Sequence, residues 1–232
     1  MTHAHQPQAA AGHQPRPPRH CRTPVLRNRG RKHPARRRRL EAIICDLHVI
    51  IRYDPATTAG IEARHGIPPG SLLEILRHRP TAQLASVGAI DYPQWLQHAR
   101  QQLPPQAIDE WLTHHGHLNQ PVTDLLTSTT LQGVRLLVTA NTTPRLPDDL
   151  AFHDLGGLAE QTFASYQIGY AKPDPRAYAH ILRTTGLDPT RTLCIETDPS
   201  WLPAAGQLGL PGHPYRSAET LRDELTRAGA AA

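Results

Sequence analysis

Three short apolar runs constrain this chain more than any other feature, because each ends in a side-chain oxygen and each is followed by a helix-like segment. They are Glu41-Ala-Ile-Ile-Cys-Asp46, Gly133-Val-Arg-Leu-Leu-Val-Thr139 and Arg191-Thr-Leu-Cys-Ile-Glu196. Runs of this length without polar alternation read as strands buried on both faces, the habit of a parallel sheet. Helical patterns are expected over Arg145–Ala151, Pro175–Thr185, Pro199–Leu208 and Ser217–Ala228. Ala177, Tyr178, Ile181 and Leu182 share a face of the second. Ser217 suits the N-cap of the last, and Gly229 the position past its end.

Strands alternating with helices predict an α/β fold with a doubly wound parallel sheet. Ligands of such sheets sit beyond the carboxyl ends of the strands. Asp46, Thr139 and Glu196 stand at those ends, so the pattern nominates one site.

About ninety residues separate the first two strands, with no convincing strand among them. Ile61–His65, Ser71–His78, Tyr92–Gln102 and Ala107–His115 carry helical patterns broken by Pro and Gly, and Val122–Leu131 leads into the second strand. Residues 55–118 are read as a helical insert over the first strand's end, with Trp95 and Trp111 packing its own small core. An insert there would shape substrate access. The α/β core is then 40–54 plus 119–232.

Charge is distributed unevenly. Residues 1–39 hold eleven of the 25 Lys and Arg and none of the 20 Asp and Glu, which leaves 14 basic against 20 acidic residues in the remainder. This tail has no hydrophobic period and is expected to be disordered. Arg36–Arg39 could serve a nucleic-acid or anionic-surface arm. Without interleaved aromatics for base stacking, a solvated extension is the preferred reading, and no nucleic-acid partner is expected. No apolar stretch follows the basic residues as in a secretory signal, and none reaches the ~18 residues of a membrane span. Cys21, Cys45 and Cys194 fit no CxxC or zinc spacing, and reduced core thiols suit a cytoplasmic location. The histidines form no HExxH pattern, and His114, His115 and His117 read as solvent-facing.

From residue 40 to 229 the chain resembles the haloacid dehalogenase-like hydrolases with a small helical cap. The resemblance is strongest from Leu136 to Leu225, and most specific in Gly169-Tyr-Ala-Lys-Pro-Asp-Pro-Arg-Ala-Tyr178 and Leu208-Gly-Leu-Pro-Gly-His213. It implies a role for each residue at a motif position. Asp46, leading Asp46-Leu-His-Val-Ile50, matches the family's nucleophile, which forms a covalent aspartyl intermediate. The family's second Asp, the general acid/base of its phosphatases, is replaced by His48, which can shuttle a proton near neutral pH. Thr139 matches a hydroxyl donor to a phosphoryl oxygen, with Asn141 a neighbouring substrate contact. Lys172, in Ala171-Lys-Pro-Asp174, matches the ammonium that holds nucleophile and phosphoryl oxygens together. The family's acidic magnesium-binding pair is altered to Glu196-Thr-Asp198. Thr197 stands where the direct metal carboxylate belongs, leaving Asp46, Glu196 and Asp198 as the candidate ligands.

The resemblance implies a magnesium-dependent phosphatase acting on a small phosphorylated metabolite. One alternative is a catalytically impaired relative that binds a ligand or partner, since His48 and Thr197 both depart from the catalytic pattern. A third is a metal-independent 2-haloacid dehalogenase, ranked last because Leu202 follows Trp201 where an acid would position water.

Overall fold

A computed structural model describes residues 39–155 and 162–230 of the chain. The expected tail, 1–39, lies outside these residues except for Arg39. The fold lies within the unit Arg37–Ala232.

Strand β1 (Ala42–Asp46) passes into a one-turn helix α1 (Leu47–Ile50) and a two-residue strand β2 (Ile51–Arg52). Helices α2 (Pro55–Arg64), α3 (Ser71–Leu73, continued by a π-helical turn over Glu74–His78), α4 (Pro80–Ser86), α5 (Tyr92–Arg100) and α6 (Pro105–Leu112) come next. The chain returns through β3 (His117–Leu118) to α7 (Gln120–Leu131), β4 (Arg135–Ala140), α8 (Leu146–Phe152), β5 (Thr162–Ala164) and the single turn α9 (Ser165–Ile168). It ends with α10 (Pro175–Thr185), β6 (Thr192–Glu196), α11 (Leu202–Gly206), β7 (Gly212–Pro214) and α12 (Ala218–Arg227).

Five strands pair in parallel in the order β5-β4-β1-β6-β7, with β1 at the centre. Every residue of β1 is buried, because helices cover both faces. Period-two alternation sorts the side chains. Ile43, Cys45, Val138, Leu193 and Ile195 pack on one face with Leu125, Leu126, Leu221 and Leu225. Ala42, Ile44, Leu137 and Cys194 pack on the other with Tyr178, Ile181 and Ala205. The doubly wound expectation holds. Within this sheet, strands β5 and β7 were missed from sequence; both are three-residue edge strands, too short for a periodicity to show.

Residues 55–112 build a third apolar cluster of their own, including Ile61, Leu72, Leu76, Trp95, Ile108 and Trp111. Trp95 is 1% exposed and Trp111 9%, as their helical spacing suggested. Buried Glu62 is satisfied by the backbone N–H groups of Gly70 (2.9 Å) and Leu72 (2.8 Å), which holds the turn before α3. Helix α4, missed from sequence, starts at Pro80, whose fixed φ suits a first helical turn.

The expectation of no strand in this region needs one correction. β2 and β3 form a two-residue antiparallel ribbon, with Ile51 opposite Leu118 and Arg52 opposite His117, where the helical segment leaves and rejoins the sheet domain. Gly116 makes the ribbon possible. Its φ is +73°, and a Cβ there would stand 2.8 Å from the Arg52 carbonyl oxygen. Among the described residues, no helix is long and apolar enough to cross a membrane.

Candidate active site

Asp46 lies opposite Thr139 in the β1–β4 register, and Cys45 lies opposite Ile195 in β1–β6. Period-two alternation therefore puts Asp46, Thr139 and Glu196 on the sheet face of Ile44, Leu137 and Cys194, at the carboxyl edge. Lys172 reaches this edge from the loop before α10. Its Nζ donates to Asp46 Oδ1 at 3.0 Å and to Glu196 Oε2 at 2.8 Å. Tyr178, one turn into α10, donates its hydroxyl to Glu196 Oε1 at 2.9 Å. Thr197 donates its hydroxyl to Asp46 Oδ2. His48 Nδ1 stands 3.7 Å from Asp46 Oδ1. The Lys172 ammonium also lies 4.6 Å from the centre of the Trp201 ring.

This cluster is buried, and burial sets its electrostatics. Desolvation alone would raise the Asp46 carboxyl, but the Lys172 charge, the nearby His48 ring and the Thr197 hydrogen bond outweigh it. Asp46 is held well below the usual carboxylate range. Glu196 goes the other way: burial pushes it up more than Lys172 and Tyr178 pull it down, and the Asp46 charge adds to the rise. For Lys172 desolvation pulls down, yet the two carboxylates leave it above its ordinary value. Burial likewise raises the thiols of Cys45 and Cys194, which stay protonated core groups.

The expected residues thus converge unequally. Asp46, Lys172 and Glu196 form one hydrogen-bonded unit, with His48 beside it. Thr139 is buried at the strand end, and its side chain makes no hydrogen bond among the described residues. Asn141, expected to touch substrate, uses its amide to clamp the Lys172 backbone. Oδ1 accepts from the Lys172 backbone N–H at 2.8 Å, and Nδ2 donates to the Lys172 carbonyl at 2.7 Å. That pair fixes the loop from which the ammonium is aimed. Asp198 does not join the cluster. It is exposed and caps its own short turn, accepting from the Ser200 N–H at 2.9 Å.

Magnesium takes tightly placed oxygen ligands, usually including one or two carboxylates. Both oxygens of Asp46 and both of Glu196 already accept hydrogen bonds, and Asp198 faces solvent. Among the described residues, no group of three or more His, Cys, Asp or Glu could hold a metal ion. The residues present do not fit the magnesium site expected of Asp46, Glu196 and Asp198. The physical reason is Thr197: a hydroxyl that donates to Asp46 cannot replace a carboxylate that would share a cation with it.

A cavity of about 480 Å³ is walled by Tyr53, Arg77, Trp111 and His115, among others. A second, of about 590 Å³, lies between the helical segment and the sheet edge and shares Tyr53, Arg77 and Trp111 with the first. His48, Asn141, Lys172 and Trp201 line it from the sheet side, and Leu76, Arg77, Trp95 and Trp111 from the helical side. Asp46 is 0% exposed and lies behind Lys172 and His48. His115, expected to face solvent, is half-buried, with Nδ1 2.8 Å from Asp149 Oδ1. Tyr178, Arg77, Arg145 and Asp149 were missed as site residues. Only Tyr178 carried a signal, six residues after Lys172 in the most family-like stretch.

Residues 41–209 match the family model of the haloacid dehalogenase-like hydrolases. The chain belongs to this hydrolase family. Solved members share its fold at low identity. A predicted HAD-like family hydrolase from Porphyromonas gingivalis superposes with a TM-score of 0.65 at 20% identity, covering 82% of this chain and 98% of that one. A HAD family enzyme from Bacteroides thetaiotaomicron, solved with magnesium and inorganic phosphate, gives 0.62 at 17%, covering 76% and 94%. A HAD phosphatase from Thermococcus onnurineus gives 0.56 at 15%, covering 83% and 99%. At these identities the likeness of this family member to its neighbours concerns the fold.

Proposed function

We propose that this hydrolase cleaves a small phosphate monoester through a covalent intermediate on Asp46, with Lys172 rather than a divalent metal as the local cation. The observation that carries the reading is the Lys172 ammonium 3.0 Å from Asp46 at the edge of a cavity sized for a small metabolite. An ionised carboxylate is the nucleophile, and the adjacent cation screens it from an anionic substrate. Asp46 would attack phosphorus and release the alcohol, and water would then hydrolyse the aspartyl phosphate. His48, beside Asp46 and lining the cavity, would give the leaving oxygen its proton and take one from that water. Helices α2–α6 would act as the cap that limits substrate size. The Bacteroides thetaiotaomicron neighbour, whose complex contains phosphate, supports this substrate class.

Without a metal the charge balance is tight. Lys172 serves two carboxylates, so the trio carries one net negative charge when both are ionised. A proton on Glu196 frees the ammonium for Asp46 and the phosphoryl group. Turnover is therefore expected to fall as pH rises through the elevated pKa of Glu196.

One observation favours a non-catalytic, ligand-binding chain instead: both Asp46 oxygens are occupied, and the carboxylate does not open onto the cavity. A phosphatase assay on p-nitrophenyl phosphate separates the two. The expected result is turnover that survives EDTA and disappears in Asp46→Asn. Equal background rates for wild type and Asp46→Asn would sink the catalytic reading. Strict dependence on added magnesium would sink the metal-free one.

A further inference from the structure

Away from Asp46, the same cavity has a second charged pole. Asp149 is its only carboxylate among the described lining residues, and it is fully engaged. Tyr53 donates its hydroxyl to Oδ2 at 2.9 Å, while Arg145 Nη2 (3.1 Å) and His115 Nδ1 (2.8 Å) meet Oδ1. Arg145 also donates to the carbonyls of Trp111 and His114, and its guanidinium carbon lies 4.6 Å from the Trp111 ring centre. Its Nε is buried without a partner among the described residues.

Arg77 has no comparable anchoring. Its guanidinium carbon lies 5.3 Å from the Tyr53 ring centre and 6.0 Å from that of Trp111. Among the described residues it has no hydrogen bond to any side chain or carbonyl and no ion pair. The side chain is exposed and lines both cavities, and the protein around it partly desolvates the guanidinium and lowers its pKa. Two guanidiniums against one carboxylate leave a positive charge uncompensated in a partly desolvated place. Stacking on aromatic rings fixes the plane of such a group without using its N–H donors.

We propose that Arg77 binds a second anionic group of the substrate, a carboxylate or a further phosphate, and thereby selects molecules charged at both ends. The proposal rests on Asp46 being the reacting end. The apolar part of the cavity lining includes Leu76, Trp95, Trp111 and Trp201, which suits an uncharged linking part. The planar fork of Arg77 matches an oxyanion through two parallel hydrogen bonds.

Calorimetric titration with three unreactive probes, each with two methylenes between phosphorus and the terminal group, tests this: propylphosphonate, 3-phosphonopropionate and ethane-1,2-bisphosphonate. Wild type is expected to bind at least one doubly charged probe tenfold or more tightly than propylphosphonate, and the tighter of the two identifies the second group as carboxylate or phosphate. Arg77→Gln is expected to erase that preference and leave propylphosphonate unchanged. Arg77→Lys, which keeps the charge but not the fork, is expected to keep part of it. Equal affinity for all three probes, no binding of any, or an equal loss across all three in Arg77→Gln would overturn the proposal. Binding is read without turnover, so a chain that fails the phosphatase assay yet keeps the Arg77-dependent preference would lose the catalytic reading and keep only Arg77 as a subsite for a doubly charged ligand.

Discussion

Lys172 is the residue on which the buried site depends. It is 4% exposed and holds two fully buried carboxylates. Removing one partner of a buried ion pair leaves an uncompensated charge, which typically costs about 3–5 kcal/mol. Lys172→Met is expected to lose stability of that order in urea denaturation. Adding Asp46→Asn should recover part of the loss, because one stranded charge disappears. Were the double variant no more stable than the single one, charge would not be the cause.

The two acids respond to pH in opposite directions. Asp46 is depressed, so its contribution to stability is present above its ordinary value of 3.8 and is lost as pH falls below it. Glu196 is raised from 4.5, so the folded protein holds that proton more tightly than the unfolded chain. Its contribution is full below about 4.5 and is lost as pH rises through the elevated value. Glu196→Gln keeps an acceptor for Tyr178 and carries no charge. It is expected to flatten both the stability curve and the fall in turnover above that range. A pH–rate profile unchanged by Glu196→Gln would show that another group titrates.

At the scale of elements, the helical segment stands on its own apolar cluster, while the sheet strands supply the two clusters around them. Trp95 is the largest fully buried side chain of that segment. Truncating a buried Trp costs roughly 3–5 kcal/mol through lost burial and the cavity left behind. Trp95→Ala is expected to loosen α4–α6 while β1, β4 and β6 keep their amide protection. Hydrogen exchange reads the difference, and uniform loss of protection across both regions would show that they unfold as one unit. Helix α12 shows how much of an element is local. Ser217 and Thr220 form a reciprocal cap, and Leu221 and Leu225 bury the same face, so start, period and partner sheet all follow from a few residues.

Among the described residues, the apolar clusters are assembled from residues 40–230, with Leu40 as the first contributor. The basic segment before it lies outside the described residues; from its composition alone we propose that it adds no stability. Deleting residues 1–38 is expected to leave the melting temperature unchanged and to lower retention on a cation exchanger. A drop of several degrees would show that the segment packs on the domain.

The sequence by itself determined the strands that matter and the order of their helices. Apolar runs bounded by turns act locally, and alternation then puts Asp46, Thr139 and Glu196 on one face of one edge. It also marked Lys172, and its family resemblance drew attention to Thr197. Only tertiary structure decided what these groups do to one another. That Asn141 grips the Lys172 backbone, that Tyr178 satisfies Glu196, and that Asp198 turns to solvent depend on loop paths between distant parts of the chain. No local period records such paths. The positive pole at Arg77 is more distant still. It exists because a helical segment with its own core packs over the strand ends, bringing Tyr53, Arg77, Trp111 and Arg145 from four parts of the chain to one cavity.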